Sequence, residues 1–121
     1  MIEQKRILAT SIPGPASQAL QQRKVAAVAA GVSTGLPVYV TEASGGILRD
    51  ADGNQLIDFG SGIAVTTVGN GNQRIIDAVT EQITAFTHTC FMVTPYDSYV
   101  QVCEKLIELT PGDHEKRSAL F

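Results

Sequence analysis

Two histidines and two cysteines are the residues that most readily suggest chemistry in this 121-residue chain. His88 stands two residues before Cys90 in THTCF, whereas Cys103 and His114 lie further along the sequence. A cysteine nucleophile needs a base within hydrogen-bonding distance, and a zinc site needs four ligands at a recognisable spacing. No Cys-x-x-Cys pair is present. The spacing therefore favours thiols that pack against neighbours over a metal site or thiol catalysis.

The glycines are the second candidate, because four of the eleven fall in IDFGSGIAVTTVGNGN, residues 57–72. A dinucleotide-binding turn requires G-x-G-x-x-G, but Val65 stands where the third glycine would follow Gly60 and Gly62. The phosphate-binding pattern G-x-x-x-x-G-K-[ST] is also missing. The local pattern therefore predicts a bend where a strand crosses to a helix.

Two further patterns are more easily explained by structure than by chemistry. DADGN, residues 50–54, resembles the start of a calcium loop, but Gln55 and Ser61 occupy the positions of its glycine and its last acidic ligand. It is predicted to be a turn. A lysine that bonds a carbonyl group needs a desolvated or charge-tuned pocket. We expect surface charges at all four lysines, which are Lys5, Lys24, Lys105 and Lys116.

Composition excludes several classes of protein. The net charge is −3, the isoelectric point is about 5.2, and no cluster of basic residues could form a nucleic-acid surface. The longest apolar stretch, residues 25–32, is far shorter than the roughly 20 residues that cross a bilayer. The first residues carry no secretory pattern. We therefore expect a cytoplasmic protein with reduced cysteines, without nucleic-acid or membrane partners.

The first half of the chain predicts a helix and a small antiparallel sheet. Helix-forming residues run from Ala16 to Ala30, with Ser17 near the start and Gly31 as the stop. Three β-rich segments follow, and Gly53 is predicted to take a positive φ in the hairpin turn between the last two. The three segments are residues 37–43, 46–50 and 55–59.

The second half predicts two amphipathic helices. Apolar residues spaced by three and four residues indicate a helix over residues 73–86, with Asn72 as its N-cap. For the next helix, Thr94 is the predicted cap, with Pro95 at its first position, and Pro111-Gly112 ends it. Ser118–Phe121 is predicted to be the beginning of a strand, which suggests a truncated domain.

The order of these segments resembles the N-terminal part of the class III, pyridoxal-phosphate-dependent aminotransferases of fold type I. Within this family, the segments resemble those of the 4-aminobutyrate aminotransferases. The likeness covers nearly the whole chain and is carried by IPGPASQAL, DADGNQLIDFGSGIAVTTVGN, FTHTCFMVTPYDSYVQVCEKL and PGDHEKRSALF. It implies an α/β fold, with residues 1–60 as an N-terminal arm, helix and small sheet. Residues 61–121 would begin the large cofactor-binding domain.

The resemblance also implies site residues. Ile63 would form part of the apolar wall along the carbon chain of the substrate, and Gly60 and Gly62 would let the backbone come close to it. Phe91 and Met92 would lie near the cofactor site of the partner subunit in a homodimer. The substrates would be an ω-amino acid and a 2-oxo acid, with 4-aminobutyrate and 2-oxoglutarate giving succinate semialdehyde and glutamate.

The same resemblance implies parts that are missing from these 121 residues. Relatives are several times longer and carry, further on, the loop that holds the cofactor phosphate and the lysine that bonds the cofactor. No residue of this chain is therefore predicted to be catalytic or to bind the cofactor, and the chain alone is expected to be inactive. Two alternatives stay open: a non-catalytic binding domain, and an aminotransferase for another ω-amino acid, such as ornithine.

Overall fold

The computed structural model describes residues 2–120. Four helices and three strands follow the chain in the order α1 (Pro15–Ala27), β1 (Val40–Ser44), β2 (Ile47–Asp50), β3 (Gln55–Ile57), α2 (Ser61–Ala64), α3 (Gln73–Ala85) and α4 (Asp97–Leu109). The chain divides between Thr80 and Glu81, within α3, into two compact units. The predicted division at residue 60 concerns the domains of a longer protein and stays a prediction.

The three predicted strands form one antiparallel sheet in the order β1-β2-β3. Ile47 on the central strand lies opposite Ser44 on β1 and Ile57 on β3, and its side chain is buried. The arm before α1 extends this sheet, because Ile7 and Gln55 exchange both of their backbone hydrogen bonds. The sheet therefore anchors the first residues of the chain.

The hairpin turn between β2 and β3 forms the polar interior of the first unit. Gly53 has a φ of +82°, which confirms the predicted positive φ. Asn54 is fully buried, and its Oδ1 accepts the N–H groups of Ala9 and Thr10 at 2.8 and 2.9 Å. The turn is therefore held to the N-terminal arm by hydrogen bonds that reach up to 45 residues back along the chain.

Helix α1 was predicted correctly, but its ends differ from the prediction. It ends at Ala27 because Val28 takes an extended conformation, so that Gly31 is not the stop. Its N-cap, Gly14, has no side chain to offer. Asp52 from the hairpin turn supplies the acceptors instead, since its two carboxylate oxygens bind the N–H groups of Ala16 and Ser17 at 2.7 and 2.9 Å.

Helix α3 confirms both the predicted span and its cap. The Oδ1 of Asn72 accepts the N–H of Arg74 at 3.1 Å, two residues into the helix. The predicted apolar face is present, but it is exposed to solvent in the described residues. Its large members are Ile75, Ile76, Val79 and Ile83.

Helix α4 begins two residues later than a cap at Thr94 requires. Tyr96 is the N-cap, while Thr94 belongs to the preceding turn, where its N–H bonds to the carbonyl oxygen of Cys90. The helix ends before Pro111, as predicted, with Thr110 as its C-cap.

The predicted strand at residues 118–121 does not form in residues 118–120, because no strand of the described chain pairs with them. Phe121 lies outside the described residues. No helix within residues 2–120 combines the length and the apolar character needed to cross a membrane.

Candidate functional site

The segment after β3 is organised by the carboxylate of Asp58. Its Oδ1 accepts two backbone hydrogen bonds, from the N–H of Gly60 at 3.0 Å and from the N–H of Ser61 at 2.7 Å. The N–H of Asp58 itself bonds to the carbonyl oxygen of Gly46 at 2.9 Å. Asp58 therefore connects the edge of the sheet to the glycine-rich segment.

This segment then makes one left-handed helical turn, which is α2. All four residues have positive φ angles: 47° at Ser61, 61° at Gly62, 61° at Ile63 and 63° at Ala64. The left-handed conformation costs L-residues about 1–2 kcal/mol each, and glycine alone adopts it freely. A bend was predicted here, but a strained turn with three non-glycine residues was not.

Hydrogen bonds from the residues that follow the turn hold it in this strained conformation. The carbonyl oxygen of Ser61 accepts the N–H groups of Val65 and Thr66 at 2.8 and 3.0 Å. The hydroxyl groups of Ser61 and Thr66 lie 3.0 Å apart and share a further hydrogen bond. Strained backbone persists where neighbouring contacts hold it, and such segments cluster at functional sites.

The turn presents Ile63 to solvent. The side chain of Ile63 is 94% exposed, and Phe59, Val65 and Val68 nearby are exposed as well. The left-handed backbone of this large β-branched residue costs free energy, and the described residues do not bury its side chain in return. Ile63 and Gly62 are the two residues for which we expect contact with a substrate.

Gly60 and Gly62 do not have equal roles. Gly62 has a φ of +61°, which favours glycine, whereas Gly60 has an ordinary φ of −83°. A side-chain carbon on Gly60 would lie 3.6 Å from the Oδ1 of Asp58, which is normal contact. The backbone conformation therefore favours glycine at position 62 but not at position 60.

Phe91 and Met92 lie in the second unit, in the turn that precedes α4. Phe91 stacks on Tyr99 with 4.1 Å between ring centroids and makes an edge contact with Tyr96. Met92 follows Phe91 in the same turn and is 92% exposed. The predicted pair thus consists of one packed residue and one exposed residue, and the structure places both in a different unit from Gly62 and Ile63.

Tyr99 also holds the end of the described chain. Its hydroxyl group accepts the N–H of Leu120 at 2.9 Å and donates to the carbonyl oxygen of the same residue at 3.1 Å. A residue on α4 thereby fixes the backbone of a segment 21 positions later.

The described residues do not fit pyridoxal phosphate by themselves. A lysine that bonds the cofactor carbonyl must be free and desolvated. Each lysine ammonium group in this chain instead binds a carboxylate or a backbone carbonyl, and none is buried; the four are Lys5, Lys24, Lys105 and Lys116.

The thiol groups are not arranged for chemistry either. Cys90 is exposed and Cys103 is half-buried, and both are free. The expectation that both cysteines pack is therefore wrong for Cys90, because its turn leaves the side chain at the surface. In residues 2–120, no three histidine, cysteine or acidic side chains come together as metal ligands would.

Sequence reasoning overlooked Asp58 and Tyr99. The signal for Asp58 was present, because an aspartate two residues before a glycine often accepts backbone N–H groups in a turn. Tyr99 gave no such local signal, since its bonds to Leu120 depend on where the later segment lies.

Comparison with known proteins identifies the family. The sequence model of the family described as aminotransferase class-III matches residues 27–120. The chain is 61% identical over 120 residues to the 4-aminobutyrate aminotransferases of Mycobacterium bovis and Mycobacterium tuberculosis. It is 43% identical over 104 residues to a 5-aminovalerate aminotransferase of Pseudomonas putida. The first two alignments cover 99% of this chain but 27% of each relative, and the third covers 86% and 24%.

Solved structures agree on the fold. An acetylornithine aminotransferase from Elizabethkingia anophelis superimposes with a TM-score of 0.69, and an ornithine delta-aminotransferase from Plasmodium falciparum with 0.66. Both are 20% identical, and the alignments cover 79% and 78% of this chain and 24% of each structure. The α/β arrangement is therefore that of the N-terminal part of such enzymes. With a family model that matches most of its length, the chain belongs to the class-III aminotransferase family.

Proposed function

We propose that this chain forms the N-terminal part of an aminotransferase that transfers the amino group of 4-aminobutyrate to 2-oxoglutarate. The products are succinate semialdehyde and glutamate. The observation that carries the proposal is the 61% identity, over 120 residues, to relatives named 4-aminobutyrate aminotransferase. The chain spans about a quarter of the length of those relatives. The activity is therefore proposed for a longer polypeptide that contains this chain.

In this proposal, pyridoxal phosphate supplies the carbonyl group that receives the substrate's nitrogen, and residues beyond this chain hold it. The contribution of the described residues is to bind the substrate. Ile63 provides an apolar surface for the carbon chain, and Gly62 allows the backbone turn that carries it. An unbranched ω-amino acid suits an apolar slot of this kind.

The proposal includes a homodimer in which Phe91 and Met92 approach the cofactor site of the partner subunit. The exposure of Met92 together with the adjoining Val93 supports this arrangement, since neighbouring apolar side chains at the surface favour a protein contact. A cytoplasmic location is also part of the proposal, and two free thiols suit a reducing compartment.

The test uses the full-length polypeptide loaded with pyridoxal phosphate. Turnover is measured with 4-aminobutyrate, 5-aminovalerate and ornithine as amino donors and 2-oxoglutarate as acceptor. We expect the highest kcat/KM with 4-aminobutyrate. A preference for ornithine or 5-aminovalerate would show that the enzyme uses a different amino donor from the one proposed. If the intact protein has a mass of 12.9 kDa and no turnover with any donor, the enzyme proposal falls and a binding domain replaces it.

A further inference from the structure

We propose that Asp58 is the positioning residue of the substrate site. By accepting the N–H groups of Gly60 and Ser61, its carboxylate holds the left-handed turn that presents Ile63 to the carbon chain of the amino donor. This inference rests on the proposed function, because it assigns Ile63 to the substrate. It concerns a residue that does not itself contact the substrate.

The first support is the energetic cost of the turn. Three non-glycine residues, Ser61, Ile63 and Ala64, have φ angles between 47° and 63°. At about 1–2 kcal/mol each, the conformation would relax unless other contacts held it. The side chain of Ile63 is almost entirely exposed and gains no burial from the described residues.

The second support is the position of the hydrogen bonds. Asp58 binds both N–H groups at the entry to the turn through the same oxygen, Oδ1, and its own N–H is tied to Gly46 beside the sheet. The hydroxyl pair of Ser61 and Thr66 closes the other end. The turn is thus fixed at both ends, with Ile63 between them.

The geometry distinguishes two substitutions at Asp58. An asparagine keeps an Oδ1 acceptor and can make both hydrogen bonds, although with a neutral group. An alanine removes the acceptor and leaves the turn free to relax to right-handed or extended backbone. Displacing Ile63 in this way weakens contact with the substrate carbon chain, and a hydrophobic contact discriminates between substrates that differ by one methylene.

The experiment uses the full-length, cofactor-loaded protein and measures kcat and KM for 4-aminobutyrate and 5-aminovalerate. We expect Asp58→Ala to raise KM for 4-aminobutyrate about tenfold, to lower its kcat/KM preference over 5-aminovalerate and to change kcat little. Asp58→Asn should keep both KM and the donor preference close to their wild-type values. Asp77→Ala is the matched control, since Asp77 lies on α3 and accepts a hydrogen bond from Gln73 only within that helix.

A double-mutant cycle tests whether Asp58 acts through Ile63. In an Ile63→Ala background, Asp58→Ala should add little to the increase in KM, because the side chain that it positions is already gone. Full additivity of the two changes would overturn the inference. If Asp58→Ala yields no folded protein, Thr66→Val replaces it, with a smaller shift expected in the same direction.

Failure of the inference differs from failure of the proposed function. A wild-type protein that does not turn over 4-aminobutyrate removes the proposed function, whatever Asp58 does. If the wild-type enzyme is active and Asp58→Ala keeps its KM and donor preference, the positioning role alone is wrong. A lower melting temperature with unchanged KM and preference would likewise assign Asp58 to stability only.

Discussion

The Oδ2 of Asp50 accepts a hydrogen bond from the side-chain amide of Asn54 at 2.7 Å, and both side chains are buried. The Oδ1 of the same carboxylate accepts the N–H groups of Asp52 and Asn54 at 2.9 and 2.8 Å. One buried carboxylate therefore shapes the hairpin turn and orients the amide that ties down the N-terminal arm.

Asn54→Ala should detach the arm from the hairpin. It leaves the N–H groups of Ala9 and Thr10 without their acceptor, and it leaves Asp50 with an unpaired oxygen in a buried setting. We expect the local opening free energy to fall by about 3 kcal/mol, so that these two amides exchange about a hundredfold faster. Hydrogen exchange measures the change. Gln22→Ala, at an exposed site of α1, is the control, and equal protection in the two variants would contradict the prediction.

Asp52→Ala should loosen the first turn of α1. It removes both acceptors for the N–H groups of Ala16 and Ser17, and Gly14 offers no replacement. Hydrogen exchange at these two amides should become several-fold faster, while the amides of α3 stay protected. Unchanged exchange at Ala16 would show that water replaces the carboxylate without cost.

The same carboxylate predicts a pH dependence. Burial raises the pKa of Asp52, but the hydrogen bonds from Ser17 and from the N–H of Ala16 outweigh it, and the pKa lies below its ordinary value. A lowered pKa means that the stabilisation is complete above the unfolded value of about 3.9 and is lost as the pH falls through the folded value. Protection of α1, corrected for intrinsic exchange, should therefore decline below about pH 4. In Asp52→Asn this decline should be absent, and its persistence would assign the effect to another group.

Ile63→Gly should separate stability from activity. Glycine relieves the left-handed strain at this position but adds backbone entropy to the unfolded state, so that stability should change by less than about 1 kcal/mol. Loss of the apolar side chain should raise KM for 4-aminobutyrate about tenfold or more. Thermal denaturation and steady-state kinetics measure the two effects. The conservative variant Ile63→Val should stay close to wild type, and an unchanged KM in Ile63→Gly would remove Ile63 from the substrate site.

Tyr99→Phe should release the backbone at Leu120. The substitution keeps the ring stacked on Phe91 but removes both hydrogen bonds of the hydroxyl group, which are worth about 1 kcal/mol each. The Leu120 amide should then exchange about thirtyfold faster, which is what a loss of about 2 kcal/mol produces. Tyr96→Phe is the matched control, because Tyr96 contributes ring contacts to the same cluster. Similar exchange in both variants would mean that the rings alone hold the segment.

The positions of most elements could be predicted from the sequence, because the patterns that specify them are local. The spacing of apolar residues placed α3 to within one residue, and Asn72 was correctly identified as its cap. Gly53 was correctly assigned a positive φ from the turn residues around it. The ends of α1 and the start of α4 were predicted less well, since caps at Gly14 and Tyr96 lack the side chains that normally mark a helix start.

Local residue patterns alone determined the strands, the amphipathic helices and, with the ordered motifs, the likeness to class III aminotransferases. Only the tertiary structure decided which distant residues meet. Asp52 caps a helix that begins 37 positions earlier, Asn54 holds the arm, and Tyr99 binds Leu120, all through contacts that no local spacing encodes. The tertiary structure likewise decided that the turn at residues 61–64 is left-handed. Side-chain preference opposes a left-handed Ile63, and the hydrogen bonds of Asp58 and Thr66 outweigh that preference only once the chain has folded.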